Sequence, residues 1–482
     1  MKLNCTNKTV KKIVVPFCLV NILIGTPLYL FAQIQLYQQE FVRDTFKKTS
    51  INDTSLNKKR FGRASIQLGL AEVLPWTFDK FLKRAPYANI SFKSAAHNLK
   101  PSSWTWDQDN FQTNQFGHPY HGSLFYSAFR ANGYSFWQAA PATFVGSYLW
   151  ETFGEKDPPA PNDLINTGFG GVVLGEMTYR LSNKIINKHR RGFRRQLDEV
   201  LALLINPMNG LTRILDGKWG KVANPNIITI DEEDSSEIGA EFDMGLRKFN
   251  NNDISVLKTG HLGWYGRARL LYGTPYENYK TPFSNISITA EFGQDDSTKV
   301  NIISVYGSLT GWLIQSTSSV KHLAIISANY DYIHNSAFFY GGQSVKLNLF
   351  SEFVLDKGIK LNTAVGAGPV ILAAIPDPYI FNGRNYDYGP GFAINGSAGL
   401  NIDGHLFYSV NYRGGWMETL NGNSSHYFLH TVTTEFSYMF IKGLAVSAEA
   451  GYFALNGTYK NYPDQDKRYP YLRTSLRYSV NF

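Results

Sequence analysis

Cysteine is almost missing from this chain: 482 residues contain two, Cys5 and Cys18. Charge is scarce too, at 18% Asp, Glu, Lys and Arg, against roughly 25% in ordinary soluble domains. Long apolar runs do not recur beyond the N-terminus. With a mean hydropathy of −0.23, that rules out a bundle of membrane helices, each of which needs about 20 apolar residues. A disulfide-built scaffold and a disordered chain are excluded as well. What the chain has instead is aromatic rings, 9 Trp, 29 Tyr and 33 Phe, together with 42 Gly.

The one apolar run, residues 13–31, follows Lys2, Lys8, Lys11 and Lys12 and ends beside Ala32-Gln33. A basic start, an apolar middle and a small-residue exit predict a signal peptide over 1–33. Pro16, Asn21 and Pro27 argue against an anchoring helix there. Its removal takes both cysteines, which excludes thiolate chemistry in the mature chain. It also lowers the formal charge from +9 to +5, a balance that gives no support to nucleic-acid binding. Residues 34–60 are polar and read as a flexible lead-in.

Two regions follow, 61–222 and 223–482. The second alternates apolar and polar residues between Gly, Asn, Asp and Pro turns. In its last segment Leu472, Thr474, Leu476, Tyr478, Val480 and Phe482 oppose Tyr471, Arg473, Ser475, Arg477, Ser479 and Asn481. This period of two predicts strands near 236–249, 261–272, 284–294, 299–314, 320–333, 338–354, 359–370, 391–401, 404–415, 425–440, 443–455 and 470–482. Segments 250–261 and 373–391 read as long turns. A soluble sandwich would alternate in the same way. Export favours a membrane barrel, as do strands long enough to cross at about 9 to 11 residues and aromatics near strand ends (Phe338, Phe339 and Tyr340; Tyr452 and Phe453). The predicted fold is therefore mainly β: a transmembrane antiparallel outer-membrane barrel of about twelve strands, with an N-terminal helical region that plugs or covers it. Glu449, Arg473 and Arg477 then point into the lumen.

Region 61–222 reads as mixed or helical. His118 and His121 flank Pro119 at a predicted helix start, Pro141 interrupts the next stretch, and a further helix is predicted from Asp163. Gly168, Gly171 and Gly175 form a small-residue face on which another helix or the barrel wall can pack. A third helix, from Gln196, carries Leu197, Val200, Leu201, Leu204 and Ile205 at helical spacing before Asn206-Pro207 breaks it.

The candidate catalytic residues are His118, His121, Ser123, Glu151, Asp163 and Glu176. A histidine base, a serine nucleophile and an orienting acid are the ingredients of hydrolysis. The motif support is thin, since HPYHG lacks the HExxH arrangement and no GxSxG elbow is present. A structural polar network is the competing reading. Arg130 and Arg180 are expected to pair with these acids or to meet phosphate. No cofactor and no metal are predicted. Lys188, Arg190, Arg191, Arg194 and Arg195 lie in the one concentrated basic patch, read as a contact for anionic lipid or an acidic partner, with a solvated loop as the alternative.

The segments HPYHGSLFYSAFRANG, ETFGEK, NDLINTGFGGVVLGE and INPMNG together resemble the DUF3943 family over roughly residues 110–210. The resemblance implies an exported Gram-negative protein of Bacteroidetes type in the outer membrane. It assigns no activity and no role to any residue. The leading expectation is a non-catalytic outer-membrane barrel with a scaffold or envelope-assembly role, whose partners are outer-membrane lipids and an envelope complex. The alternatives are a lipid-acting hydrolase and a passive small-solute channel, the latter requiring an open polar lumen.

Overall fold

The computed structural model describes residues 58–187, 189–222, 238–249, 260–276, 278–294, 300–335 and 339–481. The leader, nearly all of the lead-in, Lys188, Phe338, Phe482 and most of the 250–261 turn lie outside them.

Alternation along the second region produces strands β1 (Ile238–Phe249), β2 (His261–Tyr272), β3 (Ile286–Gly293), β4 (Val300–Ser316), β5 (Val320–His334) and β6 (Phe339–Asp356). They continue as β7 (Ile359–Phe381), β8 (Arg384–Ile402), β9 (Leu406–Glu418), β10 (Ser425–Ile441), β11 (Leu444–Tyr459) and β12 (Gln465–Asn481). Each pairs antiparallel with its sequence neighbours, and β1 closes on β12 with Asp243 opposite Arg477 and Leu246 opposite Thr474. Closure leaves no edge, the condition for a sheet in hydrocarbon.

The 373–391 turn is a correction. Strands β7 and β8 run through it and meet at Asn382-Gly383, both at positive φ (48° and 86°), the backbone that a tight two-residue hairpin requires. Pro376 and Pro378 pointed to a loop; the pairing accommodates them with a register shift between Pro376 and Phe381.

Among the described residues before the barrel there are nine α-helices: α1 (Phe61–Thr77), α2 (Phe92–Asn98), α3 (His118–Arg130), α4 (Phe136–Ala139), α5 (Pro141–Leu149), α6 (Pro161–Ile165), α7 (Gly171–Ile185), α8 (Gly192–Ile205) and α9 (Pro207–Leu215). Four wider, π-helical turns adjoin them at Phe78–Lys83, Thr113–Gly117, Trp150–Gly154 and Asn166–Gly170. The glycine face works as its spacing predicts. A β-carbon on Gly171 would lie 2.6 Å from the backbone of Gly122, and one on Gly175 would lie 2.6 Å from the Tyr126 ring. So α7 and α3 cross nearly backbone to backbone.

The helices neither plug nor cap the barrel; they lie against its outer wall. Strand parity makes this plain. On β5, Asp331 and Ile333 line the lumen, whereas Tyr330 donates a hydrogen bond to the Gln115 carbonyl and Tyr332 stacks with Phe111. On β8, Asp387 bonds within the lumen to Tyr427 of β10. Tyr386 and Tyr388 point the other way, to Asn114 and Asn162. Phe111, Tyr126, Phe136, Val173, Leu174 and Leu181 share one core with Ile238, Tyr272, Ile286, Val305, Tyr330 and Tyr388.

Elsewhere on the outside, rings gather toward both barrel rims: Trp264, Phe292 and Trp416 near one, Trp312, Tyr438, Phe440 and Tyr478 near the other, all exposed. Such a pair of girdles is what a bilayer selects.

Beside its apolar core, the helical module buries polar residues and exposes apolar ones. Its interior holds Gln67 bonded to Thr212, Asn206 bonded to Ser127 and Thr178, and Asn209 bonded to Ser182. Its surface carries Phe61, Ile66, Leu74, Phe81, Phe193 and Leu204. The apolar stripe of α8 faces outward while Arg195, Asp198 and Glu199 face in. Among the described residues, no helix is long and apolar enough to cross a membrane.

Candidate functional site

Two polar centres stand out, one in the lumen and one in the helical module. In the lumen, inward positions of β1, β2, β3, β10, β11 and β12 place five arginines among acids. Arg267 reaches Asp243 (2.9 Å), Glu435 (3.1 Å) and Glu449 (2.7 Å). Arg473 joins Glu291 (2.6 Å) to Glu449 (2.7 Å), and Arg247 also meets Glu291 (3.3 Å). Arg269 and Arg477 bind both Asp243 and Glu435. Because β2 and β10 are not neighbours, these pairs span the barrel interior. The interior placement of Glu449, Arg473 and Arg477 is as the alternation predicts.

Nearer the other rim Arg413 of β9 reaches Asp331 of β5 at 3.2 Å. There Ile302, Ile333, Tyr340, Leu429, Phe453 and Tyr469 meet as an apolar layer. A chamber of about 200 Å³ lies between, lined from ten strands and by no helix.

In the module, the six candidate catalytic residues do not form one site. His118 Nε2 lies 3.5 Å from Asp163 Oδ1, and ligand atoms of His118, Glu151 and Asp163 all fall within 4.8 Å of one another. Burial lowers the His118 pKa to about 4, so it is neutral at physiological pH. Burial, and then the neighbouring acid Glu155, raise Glu151; burial, and then Glu151 and Asp107, raise Asp163. His121 stands apart, with Nε2 2.8 Å from the Ala71 carbonyl and its ring against Phe125 and Trp150. Ser123 donates to the Tyr120 carbonyl at 2.6 Å, so the predicted serine–histidine pairing does not form.

Glu176, wholly buried, accepts bonds from Arg130 Nε and Arg180 Nε at 2.8 Å each and from the Tyr126 hydroxyl at 2.6 Å. Burial pushes its carboxyl up, but the two arginines outweigh this and hold it below the usual range. The expected pairing of Arg130 and Arg180 with an acid is thus present. Sequence reasoning missed Asp107, Asp109, Asn114, Glu155 and Asn166, which surround or adjoin the His118 group. The acidic stretch Trp106-Asp107-Gln108-Asp109-Asn110 was the available signal.

In the basic patch, Arg195 is a correction: it is 2% exposed and bonded to Glu199 at 2.8 Å, so it is structural and does not face lipid. Arg190 pairs with Asp198 at 2.8 Å, and Arg191 and Arg194 are exposed.

Twelve closed strands, a charged interior and a ring-girdled apolar exterior define a transmembrane barrel of the outer-membrane type. Within the chain, residues 103–208 match DUF3943, a domain of unknown function. No curated protein matches the chain. Among solved structures, it is similar to NanC porin (10% identity, 48% of this chain and 98% of that one, TM-score 0.28). It is similar also to KdgM porin (14%, 50% and 99%, 0.24) and to an outer membrane channel from Pseudomonas putida F1 (10%, 51% and 95%, 0.28). Likeness this low carries no argument, and the barrel rests on its own strand pairing.

Proposed function

We propose that the protein is a gated outer-membrane passage for a small polar solute, with the helical module seated in lipid on the outside of the barrel. The lumenal chamber carries this reading. It is walled by strands alone and offers Lys346, Arg413 and Asp331 beside Tyr340 and Leu429, a mixed lining of the kind that binds small ligands. The Arg267 network closes one side and the Ile333 layer the other, so passage requires side chains to part. The scaffold expectation keeps one observation in its favour, the apolar surface of the module, which also suits a membrane partner. A lipid-acting hydrolase finds less support, because Ser123 has no histidine partner. Export through the 1–33 leader and a Bacteroidetes-type Gram-negative source belong to the same proposal.

Conductance in planar bilayers tests it. Wild type is expected to conduct weakly, and a double variant Glu435→Ala with Arg267→Ala, which removes the cross-lumen link, is expected to conduct several-fold more. If neither conducts nor admits small sugars or amino acids into liposomes, the passage reading fails and the scaffold role stands.

A further inference from the structure

We infer that His118, Glu151 and Asp163 hold a divalent metal ion of the zinc or manganese type inside the helical module. Three helical segments supply one donor each: His118 opens α3, Glu151 lies in the wide turn after α5, and Asp163 lies in α6. An ion bound at about 2.0–2.2 Å sets its ligand atoms roughly 3.5 Å apart. The His118–Asp163 separation, 3.5 Å, already has that value. The donor atom of Glu151 falls within the same 4.8 Å group, and its Oε2 accepts from the Ala160 N–H at 3.0 Å.

Charge gives the next reason. Glu176 has two arginines, Glu199 has Arg195 and Arg213, Asp198 has Arg190, and Asp216 has Arg60 and Arg63. Around His118 the pattern breaks. Asp107, Asp109 and Glu155 crowd Glu151 and Asp163, and among the described residues none of these five carboxylates forms an ion pair with lysine or arginine; Arg384 reaches only the backbone carbonyl of Asp107, and the one side chain paired to the group is the His118 ring. Buried carboxylates require a positive partner or protons.

Two buried side-chain amides that neighbour the donors in sequence lack partners. Asn114, four residues before His118, donates its amide to Asp107 while its Oδ1 is buried and unbonded. Asn166, three residues beyond Asp163 at the start of a wide turn, is 0% exposed with both amide atoms unbonded. Such orphans are uncommon in a folded interior, and amide carbonyls suit a divalent ion. The helix geometry agrees: wide π-helical turns directly precede His118, contain Glu151, and follow the helix of Asp163. These turns are rare and gather at functional sites.

The test uses the full mature chain in detergent, stripped with chelator and titrated with Zn²⁺ or Mn²⁺. Bound metal is measured by mass spectrometry, and folding by the heat-dependent gel mobility of the barrel. About one ion per chain and a raised melting temperature are expected. His118→Gln and Asp163→Asn should each weaken binding more than about tenfold, since even outer-shell changes cost that much. His121→Gln, outside the group, should bind as wild type does. Folded wild type that binds neither ion overturns the assignment, whether or not the variants fold; so do folded His118→Gln and Asp163→Asn proteins with wild-type affinity.

Discussion

Glu176→Ala unfolds the helical module while leaving the barrel closed. The carboxylate sits between Arg130 and Arg180, each donating from Nε at 2.8 Å, and is fully buried. Taking it away removes the carboxylate that two guanidinium groups share in a low-dielectric interior, and breaking a buried pair in this way costs about 3–5 kcal/mol. The expected result is rapid proteolysis between residues 58 and 222 in a protein whose heat-dependent mobility is unchanged. Replacing all three residues with apolar side chains of similar volume should restore most of the resistance, because the loss comes from burying positive charge without this carboxylate. Wild-type resistance in Glu176→Ala alone contradicts this account of the module core.

Gly122→Val has the second large effect. A β-carbon at Gly122 would lie 2.0 Å from the Thr167 carbonyl oxygen and 3.0 Å from the Gly171 Cα. Both obstacles are backbone, so no side chain can swing aside. Overpacking of a tight core usually costs about 1–3 kcal/mol, and a rigid backbone contact places this variant at the upper end or beyond. Gly62→Ala and Gly69→Ala in α1 are the controls. Nothing lies within 4 Å of a β-carbon at either position, so each should hold or raise stability by up to about 1 kcal/mol through helix propensity. Melting of the module, followed by circular dichroism, separates the two outcomes. A Gly122→Val protein as stable as these controls would mean that α3 and α7 do not cross where the structure has them.

The barrel was readable because its physics is local. A period of two along each strand states which residues share a face, and Asp403-Gly404 and Lys442-Gly443 mark tight turns. The 373–391 segment escaped because two prolines outweighed the Asn382-Gly383 signal. Orientation in the helical module was the larger gap. The stripe Leu197, Val200, Leu201 and Leu204 has the same spacing whether it faces a core or lipid, and a periodicity does not say which. The sign lay on the opposite face, where Arg195, Asp198 and Glu199 recur at the same spacing and are buried. Polar residues inside and rings outside accord with the proposed seat of the module in lipid, where water is not the solvent to be excluded.

The candidate site was half legible. His118, Glu151 and Asp163 were singled out by residue type, and they do converge. Their separation from His121 and Ser123 was not legible, because it depends on helix phase. His121 lies three residues after His118 in α3 and turns toward Ala71, while the wide turn at Trp150–Gly154, which holds Glu151, shifts the phase of that acid by an amount no sequence pattern states.

The placement of the module outside the barrel is the central claim, and a disulfide tests it most directly. The two cysteines of the chain, Cys5 and Cys18, fall in neither the helical module nor the barrel, so an engineered pair between the two is readily distinguished. A β-carbon on Gly341, on the outward side of β6, would lie 2.8 Å from the Gln115 Cβ. That is within a small backbone adjustment of the roughly 3.5–4.5 Å a disulfide needs. Gln115→Cys with Gly341→Cys should cross-link on mild oxidation in native membranes, whereas Gln115→Cys with Ser344→Cys, whose second site lines the lumen, should not. Cross-linking in the lumenal pair alone would place the helices inside the barrel and contradict the account.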